Sequence, residues 1–262
     1  MKVVLSRKGF DSQYGRIPSP ILPDGTLLSL PIPTSESGCR FSELHHGDLQ
    51  YSDLIVTLGG DEGQANGCCH LDPDLRPGRA HGWVPAFGQT GAAQTHLANQ
   101  GVGIGDLFLF FGRFRQTEYA DDGRLRYVRG AAVQHIAFGY LQVGQIVQGQ
   151  DVRDYPWHPH AENPDPLPNN TIYVASDRLA LAEAPGADVL DYRQDRVLSV
   201  PGNSPSRWQV LGWMKDTTIS YHRPASIKDG YFQSAAKGQE FVVDVTPSVR
   251  EWATAIVSTS PD

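Results

Sequence analysis

The chain has 262 residues, 40% of them hydrophobic and 19% charged, with a formal net charge of −7. That size supports one large domain with a sizeable core. The acidic balance excludes tight, sequence-independent binding along a duplex backbone, which rests on Lys and Arg neutralising phosphates. With 27 Gly and 19 Pro, the composition favours an α+β, mostly β domain with few helices and long Pro/Gly-rich loops. Its three cysteines, Cys39, Cys68 and Cys69, make a poor disulfide framework. No apolar window approaches a membrane span, and the N-terminus lacks a signal-peptide pattern. The expectation is a cytoplasmic protein with a small-molecule or nucleotide substrate and no membrane partner.

Lys2 to Leu5 reads as an opening strand. Arg7, Lys8 and Asp11 cluster where that strand ends, a position suited to gripping an anionic substrate or to an internal ion pair. Prolines 18, 20 and 23 force an extended path, Asp24-Gly25 marks a turn, and Thr26 to Ile32 looks like the returning strand. Phe41 to Asp53 is expected to be partly helical; its adjacent His45 and His46 point to different sides and so do not share a metal. Leu54 to Leu58 is a short apolar run.

His70 and Asp72 form an H-x-D pair. In an extended segment both face one side, where an imidazole nitrogen and a carboxylate oxygen can bind one cation. The two-His-one-carboxylate site of non-haem Fe(II) oxygenases uses that arrangement. Gly88 to Gln100 reads as a helix, with Gln89 at its entrance facing an anion or a base edge. His96 on that helix is expected to be a hydrogen-bonded, core-facing residue.

The centre of the reading is Gly103 to Gly149. Leu107 to Phe111 and Ile136 to Val147 are apolar runs too short for membrane spans and are read as buried strands of the main sheet or barrel. Arg113, Arg115, Arg124 and Arg126 lie between them as a local basic patch. A proline-punctuated loop follows, carrying Trp157, His158 and His160. The two histidines are spaced to supply the second half of a metal site, and Trp157 is placed to stack on a base. Further on come a strand from Thr171 to Ser176, Arg207 as another candidate for an anionic group, and a short strand Ile219 to His222 ending in a further candidate ligand. A late strand spans 239 to 245. Pro247 to Ser258 has apolar residues at helical spacing, and the last residues are expected to fray. No P-loop, strand-to-helix GxGxxG, GxSxG, HExxH, kinase or deaminase signature occurs.

The stretches LSRKGFDSQYGRIPSPILPDG, HLDPDL, FGQTGAAQTHLANQGVGIGDLFLFFGRFR, HIAFGYLQVGQIV, HPH with NNTIYVA, SYH and GQEFV resemble, in order, the nucleotide modification-associated domain family of the third type. That resemblance covers most of the chain and implies a setting, modified nucleotides, more than a reaction. Within it, residues 103–176 resemble the EVE and PUA-like β-barrels that bind modified or flipped bases, although the insert from Arg113 to Arg126 departs from them. The combined expectation is a single domain, 1–262, acting as a metal-dependent enzyme. It would be a non-haem Fe(II) oxygenase on a nucleotide, nucleobase or other small anionic substrate, with 2-oxoglutarate as a possible cosubstrate. His70, Asp72, His158 and His160 would supply the ligands; Arg7, Lys8, Asp11, Gln89, Trp157 and Arg207 would meet the substrate. The alternative is a non-catalytic EVE/PUA-like module that reads a modified base.

Overall fold

A computed structural model describes residues 1–35, 38–77, 80–162, 168–235 and 240–258. The first third of the chain holds β1 (Lys2–Arg7), β2 (Ser19–Ile21), β3 (Ile32–Thr34), β4 (His45–His46), β5 (Leu49–Gln50), α1 (Tyr51–Thr57), α2 (Glu62–Ala65), β6 (Cys68–His70) and β7 (Ala86–Gln89). Helix α3 (Gly91–Asn99) leads to the long strands β8 (Leu107–Tyr119) and β10 (Gln134–Gln148), with the short β9 (Leu125–Tyr127) between them. After α4 (Pro159–Glu162) come β11 (Thr171–Ala175), β12 (Ala187–Val189), β13 (Arg207–Trp208), β14 (Ile227–Lys228), β15 (Tyr231–Gln233), β16 (Glu240–Asp244) and α5 (Pro247–Val257).

Nine strands form one sheet whose main path runs β16-β1-β8-β10-β11-β7, with β2 and β9 beside β8 and β12 beside β10. β1 and β2 run parallel to β8, and the other pairings are antiparallel, so the sheet is mixed. Both faces are covered, which is why β1 and β8 read as nearly continuous apolar runs. On one face Val3, Leu5, Leu107, Leu109 and Phe111 pack against Trp208, Trp213 and α5. On the other, Val4, Phe87, Phe108, Phe110, Tyr173 and Val242 form a second core. A third cluster, built on Phe10, Leu30, Phe41, Leu54 and Ile55, lies beneath α1.

The two edge strands, β16 and β7, share no ladder. Side chains join them instead: Gln89 Nε2 donates to Glu240 Oε1 at 2.8 Å, and Lys8 Nζ, 3.2 Å from the same oxygen, lies 4.3 Å from the centre of the Phe87 ring. The sheet is therefore curled but not a closed barrel, which corrects the barrel alternative. The strands of 103–176 sit at its middle and pair with β1 on one side and β7 on the other.

Several expectations shift. Leu54 to Leu58 lies largely in α1, because Tyr51, Leu54, Ile55 and Leu58 are buried at helical spacing. Of Thr26 to Ile32, Leu27 bridges Ile21 and Ile32 alone enters a strand, since β3 starts there and pairs with β6. Ile219 to His222 is no strand: Ile219 bridges Val243 once, and Tyr221 turns the chain in the left-handed region at φ 64. The helix at the C-terminus forms as expected. Thr246 caps it and Pro247 opens it; Val249, Ala253, Ile256 and Val257 are buried. Residue 239 of the late strand, residues 163–167 of the histidine loop and the last four residues of the tail lie outside the described residues. Among the described residues no helix is long and apolar enough to cross a membrane.

Candidate metal centre

His70 ends β6, where pairing with β3 fixes it opposite Ile32, and Asp72 follows two residues on. The loop that brings His158 and His160 is pinned from beneath: Val152 packs with Ala86, Val147, Ile172 and Val174, and Tyr155 and Trp157 rest against that cluster. The histidines therefore arrive over β7. Gly88 makes room for them. A Cβ there would lie 2.2 Å from His160 Cδ2 and 2.8 Å from His158 Cε1, so only glycine lets both rings lie on the strand.

Asp72 is the hub, with its side chain 4% exposed. Its two oxygens face different partners. Oδ1 accepts the Gly88 backbone N–H at 2.8 Å and lies 3.5 Å from His158 Nε2. Oδ2 faces His70 Nε2 at 3.8 Å and His160 Nε2 at 3.7 Å. One ligand atom from each of His70, Asp72 and His160 lies within 4.8 Å of the others.

Hydrogen bonds set the tautomers. Asn170 Nδ2 donates to the His160 carbonyl at 2.8 Å, which leaves Asn170 Oδ1 as the acceptor for His160 Nδ1–H at 2.6 Å. The Nε2 lone pair of His160 is thereby aimed at the centre, the usual way of orienting an imidazole ligand. His158 is arranged the other way. Its Nδ1 accepts the His160 backbone N–H at 3.2 Å, so the neutral ring carries its proton on Nε2, towards Asp72 Oδ1. At 3.5 Å that contact is too long for a strong hydrogen bond, and the fully buried Nε2 makes no other among the described residues. His158 thus steadies the carboxylate, while His70, Asp72 and His160 are the three that could hold a metal ion.

The charges agree. Burial alone would raise the Asp72 carboxyl, but the His158 Nε2–H aimed at it, together with neighbouring His160 and Lys8, holds it below the usual carboxylate range. Burial pushes the His160 imidazolium down to about 4; Asp72 and the Asn170 hydrogen bond raise it, and His158 and His70 lower it. An ionised carboxylate and a neutral imidazole are the forms a metal requires. The His–Asp separations are too long for hydrogen bonds. Two ligands each about 2.1 Å from one ion stand roughly 3–3.5 Å apart, so the His70–Asp72 and His160–Asp72 separations need a few tenths of an ångström of closure to share a cation.

Two hollows adjoin the centre. A cavity of about 520 Å³ reaches Asp72 and Arg76, but His70, His158 and His160 do not line it. A pocket of about 300 Å³ is lined by Cys69 and Leu71, which flank His70, and by Trp157 and Pro159, which flank His158. None of the four residues of the centre lines this second pocket; with its side chain 36% exposed against 8% for His160, His70 is the member of the centre that faces solvent. The Trp157 ring lies 5.6 Å from that of His158 and 6.3 Å from that of Trp83, so an aromatic pair stands beside the centre.

The other expected site residues are engaged as follows. Lys8 pairs with buried Glu240, and Gln89 is held at both ends, by Glu240 and by the Thr90 N–H. Asp11 closes its own turn by accepting from the Gln13 and Tyr14 N–H groups. Arg7 follows Leu5 on the Phe111 face of the sheet. Arg207 lies over the Tyr231 ring. His222 does not join the centre: its Nδ1 bonds the Ser220 carbonyl and its Nε2 accepts the Ala235 N–H. His96, half-buried, bonds Ser220 Oγ at 2.9 Å. Sequence reasoning missed Gly88, Asn170 and Glu240. For Glu240 a signal existed, a carboxylate running straight into the apolar Phe241-Val242-Val243 of its strand.

Fold and site together define an α+β, mostly β protein whose curled mixed sheet carries a His-Asp-His group able to bind a metal. The chain belongs to the family described as nucleotide modification associated domain 3, whose model matches residues 2–244. No curated protein and no solved structure matches it.

Proposed function

We propose that this protein is a metal-dependent enzyme of nucleotide modification, a non-haem Fe(II) oxygenase whose substrate presents a nucleobase to Trp157. The division of labour at Asp72 carries this reading. One oxygen is steadied by Gly88 and His158, and the other faces the Nε2 atoms of His70 and His160. Two imidazoles and one carboxylate oxygen leave coordination positions open, the donor set associated with non-haem iron. Bound Fe(II) would supply electrons for oxygen activation. The chain's own residues do the rest: Asn170 keeps His160 in its ligating tautomer, Lys8 helps keep Asp72 ionised, and Trp157 offers a face for a base to stack on.

The test is oxygen consumption by anaerobically purified, Fe(II)-loaded protein with nucleosides, nucleotides and short oligonucleotides, with and without 2-oxoglutarate. Substrate-dependent uptake that disappears in His70→Ala supports the reading. Uptake that is absent under all conditions, together with nucleoside binding that survives a chelator and fails in Trp157→Ala, replaces it with a base-reading module.

A further inference from the structure

We propose a second site, sharing no residue with the metal centre, in which Arg113 and Arg115 bind the phosphate of a phosphate ester. Both arginines project from the face of β8 that carries Leu107, Leu109 and Phe111, since residues two apart on a strand share a face. There they stand beyond the end of the apolar core. Arg7, opposite Phe111 in the neighbouring strand, points the same way.

Each guanidinium is half-buried, and neither has a carboxylate within ion-pair distance among the described residues. Arg113 Nη1 and Arg115 Nε are buried and have no hydrogen-bond partner among the described residues. Arg115 is held in place, with Nη2 donating to the Val128 carbonyl at 3.2 Å and its guanidinium 4.9 Å from the centre of the Tyr127 ring. The hairpin arginines further along differ: Arg124 meets Asp122 at 4.0 Å and Arg126 meets Glu118 at 3.0 Å. Asp11 acts on Arg113 from beyond salt-bridge distance, and its Oδ1 is engaged by two backbone N–H groups.

Two like charges on one strand face, partly desolvated and lacking a counter-charge, are an unfavourable arrangement for the protein alone. An anion between them removes the conflict. Forked guanidinium groups match the oxygens of a phosphate, with parallel N–H···O bonds. A free mononucleotide and one phosphodiester of a single strand present the same chemistry.

The experiment measures binding of inorganic phosphate, a nucleoside monophosphate and a fluorescent single-stranded oligonucleotide at low salt. The proteins are the wild type, Arg113→Gln/Arg115→Gln, the charge-keeping Arg113→Lys/Arg115→Lys and the control Arg124→Gln/Arg126→Gln. The expected result is a loss of at least tenfold in the first double variant and a partial loss in the lysine variant, with the control unchanged. Binding of both phosphate and monophosphate assigns the site to a single ester; binding of the oligonucleotide alone assigns it to a chain. In the wild type, phosphate should protect Arg113 and Arg115 from phenylglyoxal, read by peptide mass spectrometry, a measurement that does not depend on a variant folding. Equal losses in the first double variant and the control mean diffuse electrostatics and overturn the proposal, as does no binding with no protection.

Discussion

Gly88→Ala tests the packing logic of the metal centre without touching a ligand. Its φ lies outside the left-handed region, so alanine suits the backbone and only the added methyl matters. That methyl would sit 2.2 Å from His160 Cδ2, 2.5 Å from His160 Cγ and 2.8 Å from His158 Cε1. Carbon atoms approach favourably at about 3.5–4.0 Å, so the His160 ring must retreat by about 1.3 Å or more. Ligand distances tolerate roughly 0.2 Å, so the displaced Nε2 can no longer share an ion with Asp72 and His70. Overpacking of this kind costs about 1–3 kcal/mol, which for a chain of this size lowers Tm by several degrees. Metal affinity should fall about 100-fold or more, beyond the usual effect of losing an outer partner. Isothermal titration with Fe(II) or a surrogate divalent ion, beside a thermal melt, reads both quantities. Unchanged affinity and unchanged Tm would show that the histidines do not lie against β7.

Three further predictions concern neighbouring groups. Asn170→Leu frees the His160 tautomer and should weaken metal binding about 10–100-fold, whereas His160→Ala should abolish it; equal effects would refute the tautomer argument. Lys8→Ala leaves Glu240, 1% exposed, without its cation and should destabilise the fold by about 3–5 kcal/mol in urea unfolding, while Lys8→Met/Glu240→Leu recovers most of the loss; a double variant no more stable than the single one would contradict this. His135 is buried, its Nδ1 accepts the Trp208 N–H at 3.0 Å, and burial, aided by Arg7 and Arg113, pushes its imidazolium from 6.5 down to about 3. Below pH 6.5 the unfolded chain binds a proton that the folded chain rejects, so this residue should cost about 1.4 kcal/mol per pH unit as pH falls from 6.5 towards 3, and nothing above 6.5. A His135→Gln protein should show a correspondingly shallower slope in unfolding free energy against pH, and equal slopes would refute the assignment.

The strands that carry the sheet were legible because β1, β8, β10 and β11 are buried on both faces and read as apolar runs bounded by turns. The His-x-Asp pair and the His-Pro-His loop were legible for a similar reason, since short spacing in stiff segments brings donors together. The different roles of His158 and His160 were not legible. The sequence is symmetrical about Pro159, and what separates the rings is that α4 begins there, turning His160 towards Oδ2 while His158 meets Oδ1. Asn170 looked like a turn residue and Gly88 like part of a helix entrance, because their work depends on partners distant in sequence. The link between the sheet's edges through Gln89 and Glu240 was hidden in the same way: no local pattern reports that two edges of a curled sheet meet.

The central claim is that His70, Asp72 and His160 hold a metal ion. Elemental analysis of anaerobically purified protein, beside His70→Ala/Asp72→Ala and His160→Ala, tests it most directly. The account predicts near-stoichiometric iron in the wild type and its loss in both variants, with zinc in place of iron redirecting the chemistry towards hydrolysis or deamination at the same ligands. A wild type that takes up no divalent ion even after loading, or variants that retain the ion at wild-type stoichiometry, would contradict it.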